Sequence, residues 1–384
     1  MSISASDLGD LITTTQRELG ELKYTDLSTD VQFYTALSRL FQESQVSYEA
    51  GPSIQWNLMT SNSGAAHQTG LFAVDNINVS DVMATADIPW KHTTVNYAIE
   101  RREIAMNRDP RRIVDLVKVR RNDAMISLTD HLEGQFWGKP ANDASLDMNG
   151  VDYWISDNDS AAGTTLQGDF GFTGGVPTGF TTVAGINPTD VPRWQNGLGY
   201  YLSTDVTDPV AAMTANSNAS GLPNDISLAK VMKEAYVKCN FKPIPKASYP
   251  SYNGTPDKWG IYCNYRNYSA LEVMASRLND KIVSSDVASD AGAISFRGVP
   301  ITYVPKLDSS TSGGAGTAVA GDNIYMLQWG AFRSVLLSGE YMKETGPDTA
   351  PNQHTVFTTH IDCTMNMQCV DRRRNALLRG VAAS

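Results

Sequence analysis

The chain has 384 residues, 41 % of them hydrophobic and 19 % charged. That is enough apolar material for two or three modest domains and excludes wholesale disorder. Forty-one acids against 31 bases give a net charge of -10, the wrong sign for a dedicated duplex-binding protein, whose affinity rests on phosphate neutralisation.

No apolar run approaches the roughly 20 residues that span a bilayer, and the start Met1-Ser-Ile-Ser-Ala-Ser-Asp7 lacks a signal-peptide pattern. No membrane partner and a cytosolic place of synthesis are expected. The four cysteines, Cys239, Cys263, Cys363 and Cys369, form no CxxC pair. His354, His360, Cys363 and Cys369 are the one cluster to weigh as a metal site. On a strand the two histidines take one face and the two cysteines the other, with the outer pair roughly 50 Å apart. One ion does not suit that spread, so no metal and no cofactor is expected.

In chain order, residues 1 to 60 read as an arm with helical pieces. Leu8, Leu11, Ile12, Thr15, Leu19 and Leu22 share a face. Val31, Phe33, Tyr34, Leu37 and Phe41 make a second apolar face. Neither piece is long enough to be stable alone.

Residues 61 to 103 alternate in the manner of strands at Ile77 and Val79 and at Val95, Tyr97 and Ile99. They predict a two-stranded excursion with its tip near residues 80 to 87. A lone hairpin is marginal in water, so another surface must cover it.

Asp109 and Pro110 then open a helix that runs to Trp137 and is stopped by Gly138 and Pro140. Ile113, Val117, Ala124, Met125, Leu128, Leu132 and Phe136 form its stripe. Its length, roughly 40 Å at 1.5 Å per residue, marks a structural spine. Arg111, Arg112, Lys118, Arg120 and Arg121 crowd its first half, against the helix macrodipole. They suit a solvated face, acids of a neighbouring subunit, or nearby nucleic acid.

Residues 141 to 224 are loop-rich. Gly168 to Gly179 match neither a dinucleotide fingerprint nor a P-loop. Residues 225 to 335 return to α/β order. Helices are predicted at Asp225 to Tyr236 and Tyr268 to Leu278, and strands at Trp259 to Cys263, Val299 to Val304 and Asn323 to Trp329. A short helix is predicted over Gly330 to Leu337. The end reads as β: a turn at Gly346 to Asn352, then a long alternating strand from His354 to Val370. No GxSxG, HExxH or EF-hand pattern occurs, and no catalytic residue is assigned. Trp154, Tyr200, Tyr201, Tyr252 and Trp259 suit either a core or a sugar site.

The order of elements, with Ile88-Pro-Trp-Lys91, Tyr97-Ala-Ile-Glu-Arg-Arg-Glu103, Ile113-Val-Asp-Leu116, Gln328-Trp-Gly-Ala-Phe332 and Cys369-Val-Asp-Arg-Arg373, resembles the tailed-bacteriophage major capsid proteins. The resemblance implies an α+β chain of the Hong Kong 97-like (Johnson) fold. Residues 1–60 would be the N-terminal arm and 61–103 the extended β-hairpin loop. Residues 104–224 would be a peripheral domain with the spine helix 109–137 and a loop-rich insertion, 225–335 the axial domain, and 336–384 the peripheral return strands. The implied function is a non-enzymatic, self-assembling subunit of hexamers and pentamers in an icosahedral virion of the Caudoviricetes. It would enclose double-stranded DNA and be assembled in the host bacterial cytoplasm. A cellular compartment shell of the same fold and a β-rich polysaccharide-binding or -degrading protein are the alternatives.

The resemblance implies inter-subunit contacts at Val82, Met83, Ile88, Trp90, Arg111, Arg112, Pro347 and Asn352. Weak inner-wall DNA contact is expected at Arg372, Arg373 and Arg374, with Arg379 in the same basic cluster; ion pairs with nearby acids are the other reading of these arginines. Portal and a separate scaffold protein are the expected partners, and a decoration protein an optional one. Some relatives cross-link through a lysine of the extended loop. Here no lysine lies between Lys23 and Lys91, so the hairpin tip has none and no cross-link is expected.

Overall fold

The computed structural model describes residues 34–41, 46–61, 67–68, 70, 82–106, 110–157, 170–202, 228–239, 259–278, 294–308, 323–349 and 353–381. The first predicted arm helix, Ile77 and Val79, and the side chains of Arg111 and Arg112 lie outside what is described.

The chain opens with a short helix α1 (Thr35–Leu40), then strands β1 (Val46–Glu49), β2 (Ile54–Met59), β3 (Met83–Ile88) and β4 (Lys91–Glu100). Helix α2 (Arg101–Met106) leads to the spine, α3 (Pro110–Trp137), followed by one turn, α4 (Val151–Trp154). After β5 (Gly197–Leu202) come α5 (Leu228–Lys238), β6 (Trp259–Cys263), α6 (Tyr265–Leu278), β7 (Ser295–Phe296), β8 (Val299–Tyr303) and β9 (Asn323–Gln328). Strands β10 (Phe332–Leu337), β11 (Lys343–Thr349), β12 (Val356–Cys369) and β13 (Ala376–Val381) finish the chain.

Three sheets result. One runs β1-β10-β12-β11 with β4 on the other side of β12; one runs β5-β13-β9-β6-β8-β7; the third is the ribbon β2-β3. The 14-residue β12 is the axis of the first sheet. It pairs with β4 along Val356 to Met365, with β11 at one end and with β10 at the other. Its odd-numbered residues Ile361, Cys363, Met365, Met367 and Cys369 enter one hydrophobic core, as period-two geometry requires.

The six-stranded sheet divides its residues between two cores by the same alternation. Tyr262, Tyr325, Leu327, Leu198 and Leu377 face the core shared with the spine. Ile261, Cys263, Ile324, Met326 and Leu378 face α5 and α6. Both faces are covered, so β6 and all but the first residue of β9 are buried. Helix α6 is started by Asn264, whose Oδ1 accepts from Asn267 N at 3.0 Å, and by Asp308, whose Oδ1 accepts from Tyr265 N at 2.8 Å.

The spine follows its predicted bounds, and Ala124, Leu128, Leu132 and Phe136 are buried along it. Just beyond it Gly150 crosses the last turn so closely that a Cβ there would lie 2.3 Å from the Gln135 carbonyl oxygen and 2.6 Å from that of Phe136. Only glycine fits.

Two expectations are corrected. The predicted tip near residues 80 to 87 is not a tip among the described residues. Instead Ile54 to Met59 pair with Met83 to Ile88, and Lys91 to Glu100 pair with β12. Residues 83–88 are thus a return strand rather than a tip, because β12 offers β4 a longer partner than a local hairpin does. Gly330 to Leu337 is a 3-10 turn followed by a strand, not a helix. Phe332, Ser334, Val335 and Leu336 are buried there between β1 and β12. Strands β5 and β13 belong to the six-stranded sheet, where they pair with each other in parallel.

Candidate assembly surfaces

The ribbon β2-β3 has an inner and an outer side. Ile54, Ala86 and Ile88 are fully buried at its root, and Trp56 packs on Trp154 with ring centroids 6.1 Å apart. The outer side presents Gln55, Asn57, Thr85 and Asp87, with Thr85 Oγ1 donating to Asn57 Oδ1 at 3.0 Å. At the far end Met59 faces Met83 across the register. They are 69 % and 60 % exposed. Two large thioether side chains held side by side in water form a small apolar contact surface.

Of the expected contact residues, Val82 and Met83 lie at this far end, the Val82 carbonyl accepting from Thr60 N at 2.9 Å. Ile88 does not serve: it is 1 % exposed, inside the chain's own core. Alternation along β3 turns even-numbered Ile88 inward with Ala86. Trp90 is half-buried, its Nε1 donating to the Gly51 carbonyl at 2.9 Å. Pro347 lies on β11, every residue of which is exposed. Asn352 lies outside the described residues.

The lone lysine of this region is also turned inward. Lys91 is nearly buried and its Nζ donates to the Ser145 carbonyl. Burial lowers its pKa, against the opposing pull of Asp147 and Asp143. It fastens the start of β4 to the loop that follows the spine.

Two of the five bases in the first half of the spine pair with acids of the same chain. Arg120 is forked onto Glu103 at 2.8 and 2.9 Å and reaches the Ala98 carbonyl at 2.9 Å. Burial pushes the Glu103 carboxyl up, but the Arg120 hydrogen bond and charge outweigh it and hold it below its ordinary value. Arg121 Nε donates to Glu344 of β11 at 2.7 Å. For these two residues acids of the same chain, not of a neighbour, are the partners.

The C-terminal arginines separate in the same way. Arg372 is wholly buried, which overturns the expectation that it meets DNA. Its Nε donates to the Trp154 carbonyl at 2.7 Å, Nη1 to the Trp194 carbonyl at 2.9 Å, and Nη2 to the Gly175 carbonyl at 3.1 Å and to Asn196 Oδ1 at 3.0 Å. Loop carbonyls left unpaired by irregular backbone draw the guanidinium inside. Arg374 pairs with Asp371 at 3.3 Å and Arg379 with Asp157. Arg373 alone of the four is exposed, with its guanidinium 4.1 Å from the centre of the Phe172 ring.

A buried polar cluster ties the six-stranded sheet to α4 and the end of the spine. Tyr325 of β9 donates to Asp152 Oδ1 at 2.9 Å, and Lys139 Nζ lies 3.9 Å from Oδ2. Burial raises the Asp152 carboxyl above its ordinary range, outweighing the opposing influence of Lys139 and Tyr325. Of the aromatics weighed for sugars, Trp154, Tyr200, Tyr201 and Trp259 are core residues, and Tyr252 lies outside the described residues. Among the described residues no group of three or more metal-ligating side chains converges. Cys363 and Cys369 are buried in the core.

No family model matches the chain, and no curated protein does. Solved structures do. The chain superposes on the cyanophage A-1(L) capsid asymmetric unit with a TM-score of 0.58 at 12 % identity, covering 96 % of this chain and 99 % of that one. The capsid of a native GTA particle gives 0.52 at 10 % identity, over 95 % and 96 % of the two chains. The cyanophage Pam1 capsid asymmetric unit gives 0.51 at 10 %, over 99 % and 98 %. The chain has the fold of tailed-phage major capsid proteins. This Hong Kong 97-type (Johnson) architecture extends over nearly the whole chain, with the mixed α/β sheets and long helix described above.

Sequence reasoning passed over one buried acid that bonds two parts of the chain. Glu133 on the spine is wholly buried. Its signal was weak: one of four acids on the spine, set beside the apolar stripe.

Proposed function

We propose that this chain is a major capsid protein: a structural subunit, without enzymatic chemistry, that forms hexamers and pentamers in the icosahedral head of a tailed bacteriophage around double-stranded DNA. The observation that carries the reading is the superposition on phage capsid subunits over 95 % or more of this chain. In this reading the spine and the five-stranded sheet are the peripheral domain. The six-stranded sheet with α5 and α6 is the axial domain, and the β2-β3 ribbon is the root of the extended loop.

The physics of the surfaces supports it. The ribbon end with Met59 and Met83 is exposed, and a two-stranded ribbon is marginal without cover. Burying apolar area yields about 25 cal/mol per Å², association itself is costly, and a closed shell repeats each weak contact many times. Val82, Met83, Trp90 and Pro347 are the proposed inter-subunit residues, joined by Arg111, Arg112 and Asn352 from the sequence alone. Arg373 and Arg374 are the proposed inner-wall contacts. A separate scaffold protein and a portal complete the assembly inside the host cytoplasm.

Size-exclusion chromatography with light scattering, followed by negative-stain microscopy of the largest fraction, tests the proposal. Hexamers, pentamers or closed shells are expected when the chain is co-expressed with its scaffold. A persistent monomer beside both scaffold and portal would overturn it.

A further inference from the structure

The first described helix has no cap of its own. Tyr34 precedes α1 without a side-chain cap, and no acid stands in its first turn. Helix N-termini leave backbone N–H groups unpaired. Here a residue 97 positions from Ala36 pairs two of them. Glu133 of the spine accepts from Ala36 N through Oε1 and from Leu37 N through Oε2, both at 2.9 Å. The same Oε1 accepts from the indole Nε1 of Trp137 at 2.9 Å.

Trp137 is where the spine meets the six-stranded sheet. Its ring lies 5.3 Å from Tyr262, 6.0 Å from Trp329 and 6.3 Å from Tyr325, centre to centre. Trp329 Nε1 in turn donates to the Tyr262 hydroxyl at 2.7 Å. Arg39, on α1 itself, hydrogen-bonds Tyr262 as well. Three separate parts of the chain therefore converge on one buried carboxylate and its neighbouring rings.

We propose that Glu133 is a latch: docking of α1 at its carboxylate holds Trp137 in the aromatic cluster, so that the attachment of the N-terminal segment and the attachment of the spine to the six-stranded sheet are coupled. A carboxylate buried without solvent requires all its donors. When α1 leaves, two of the three are lost, and the carboxylate must turn to find water. That motion takes the acceptor from Trp137. By linkage, loosening the sheet contact also weakens α1. The inference concerns the folded chain itself and stands whether or not shells form.

The test is hydrogen exchange on the full chain with Glu133→Gln. Gln keeps the shape and one acceptor but loses the charge and the second acceptor. Exchange at Ala36 and Leu37 is expected to rise tenfold or more, together with a several-fold rise in peptides 259–263 and 323–329. The peptide 357–363, which makes none of the contacts described for Glu133 or Trp137, should stay unchanged and so exclude general loosening. A rise at 36–37 alone would overturn the coupling. No rise at 36–37 would overturn the latch. If this variant does not fold, Phe41→Ala serves instead. It leaves Glu133 intact but removes the ring that packs on Phe136 and Tyr341, and the same paired rise is expected.

Discussion

Arg372 donates to the main-chain carbonyl of Trp154 at 2.7 Å, 218 residues earlier in the chain, and among the described residues no carboxylate pairs with it. Burial pulls its pKa down to about 10. The guanidinium ties Trp154, Ser156, Gly175, Trp194 and Asn196 to the turn before β13. It is the polar centre of a loop-rich region that has little regular structure to satisfy its carbonyls.

Arg372→Met should therefore strand several buried acceptors, at about 1–3 kcal/mol each. A loss of roughly 3 kcal/mol or more is expected in urea unfolding. Arg372→Lys should recover little of it, because three donors on one atom cannot reproduce the planar fork. A variant with an unchanged midpoint would contradict the role.

Asp152 is expected to make stability depend on pH. Its folded-state pKa is raised, first by burial. The folded chain thus takes up a proton more readily than the unfolded one. The stability from this group is full below the ordinary carboxylate range and is lost as pH rises through the raised value. Asp152→Asn should be more stable than wild type at pH 8, and the gap should close toward pH 4. Denaturation curves at both values check this; a gap that widens in acid would reverse the sign.

The four thiols should be silent in the folded protein. All are buried, and burial raises each pKa, that of Cys263 to about 12. Thiolate is the reactive form. Titration with an aromatic disulfide reagent should find none reacting quickly in buffer and four in denaturant. Fast reaction of even one native thiol would show that its site opens.

Lys91 is engaged by the Ser145 carbonyl and is nearly buried, so it is in no position to bond to a neighbour. Mature particles boiled in detergent should run as a single monomer band. A covalent ladder would overturn this. Lys91→Ala should instead loosen the loop at 142–147, seen as faster proteolysis there.

Much of the fold was legible because it is periodic. The spine from Pro110 to Trp137 carries its own stop signals and a stripe at helical spacing, and β12 alternates over 14 residues. Strands β6, β8 and β9 and helix α5 were legible for the same reason. Exposure at the candidate surfaces was legible only in part: Met83 and Pro347 are exposed, whereas Ile88 and Arg372 are buried.

Local pattern thus determined where helices and strands form, since propensity, caps and side-chain period act within a few residues. It could not determine partners. That Ile54 to Met59 pair with β3, that β13 lies between β5 and β9, and that Glu133 bonds α1 were decided by tertiary structure. Each is a contact between distant segments, and its stability comes from burying both at once. Arg372 makes the same point: its charge marks a surface residue until loops far along the chain present their carbonyls to it.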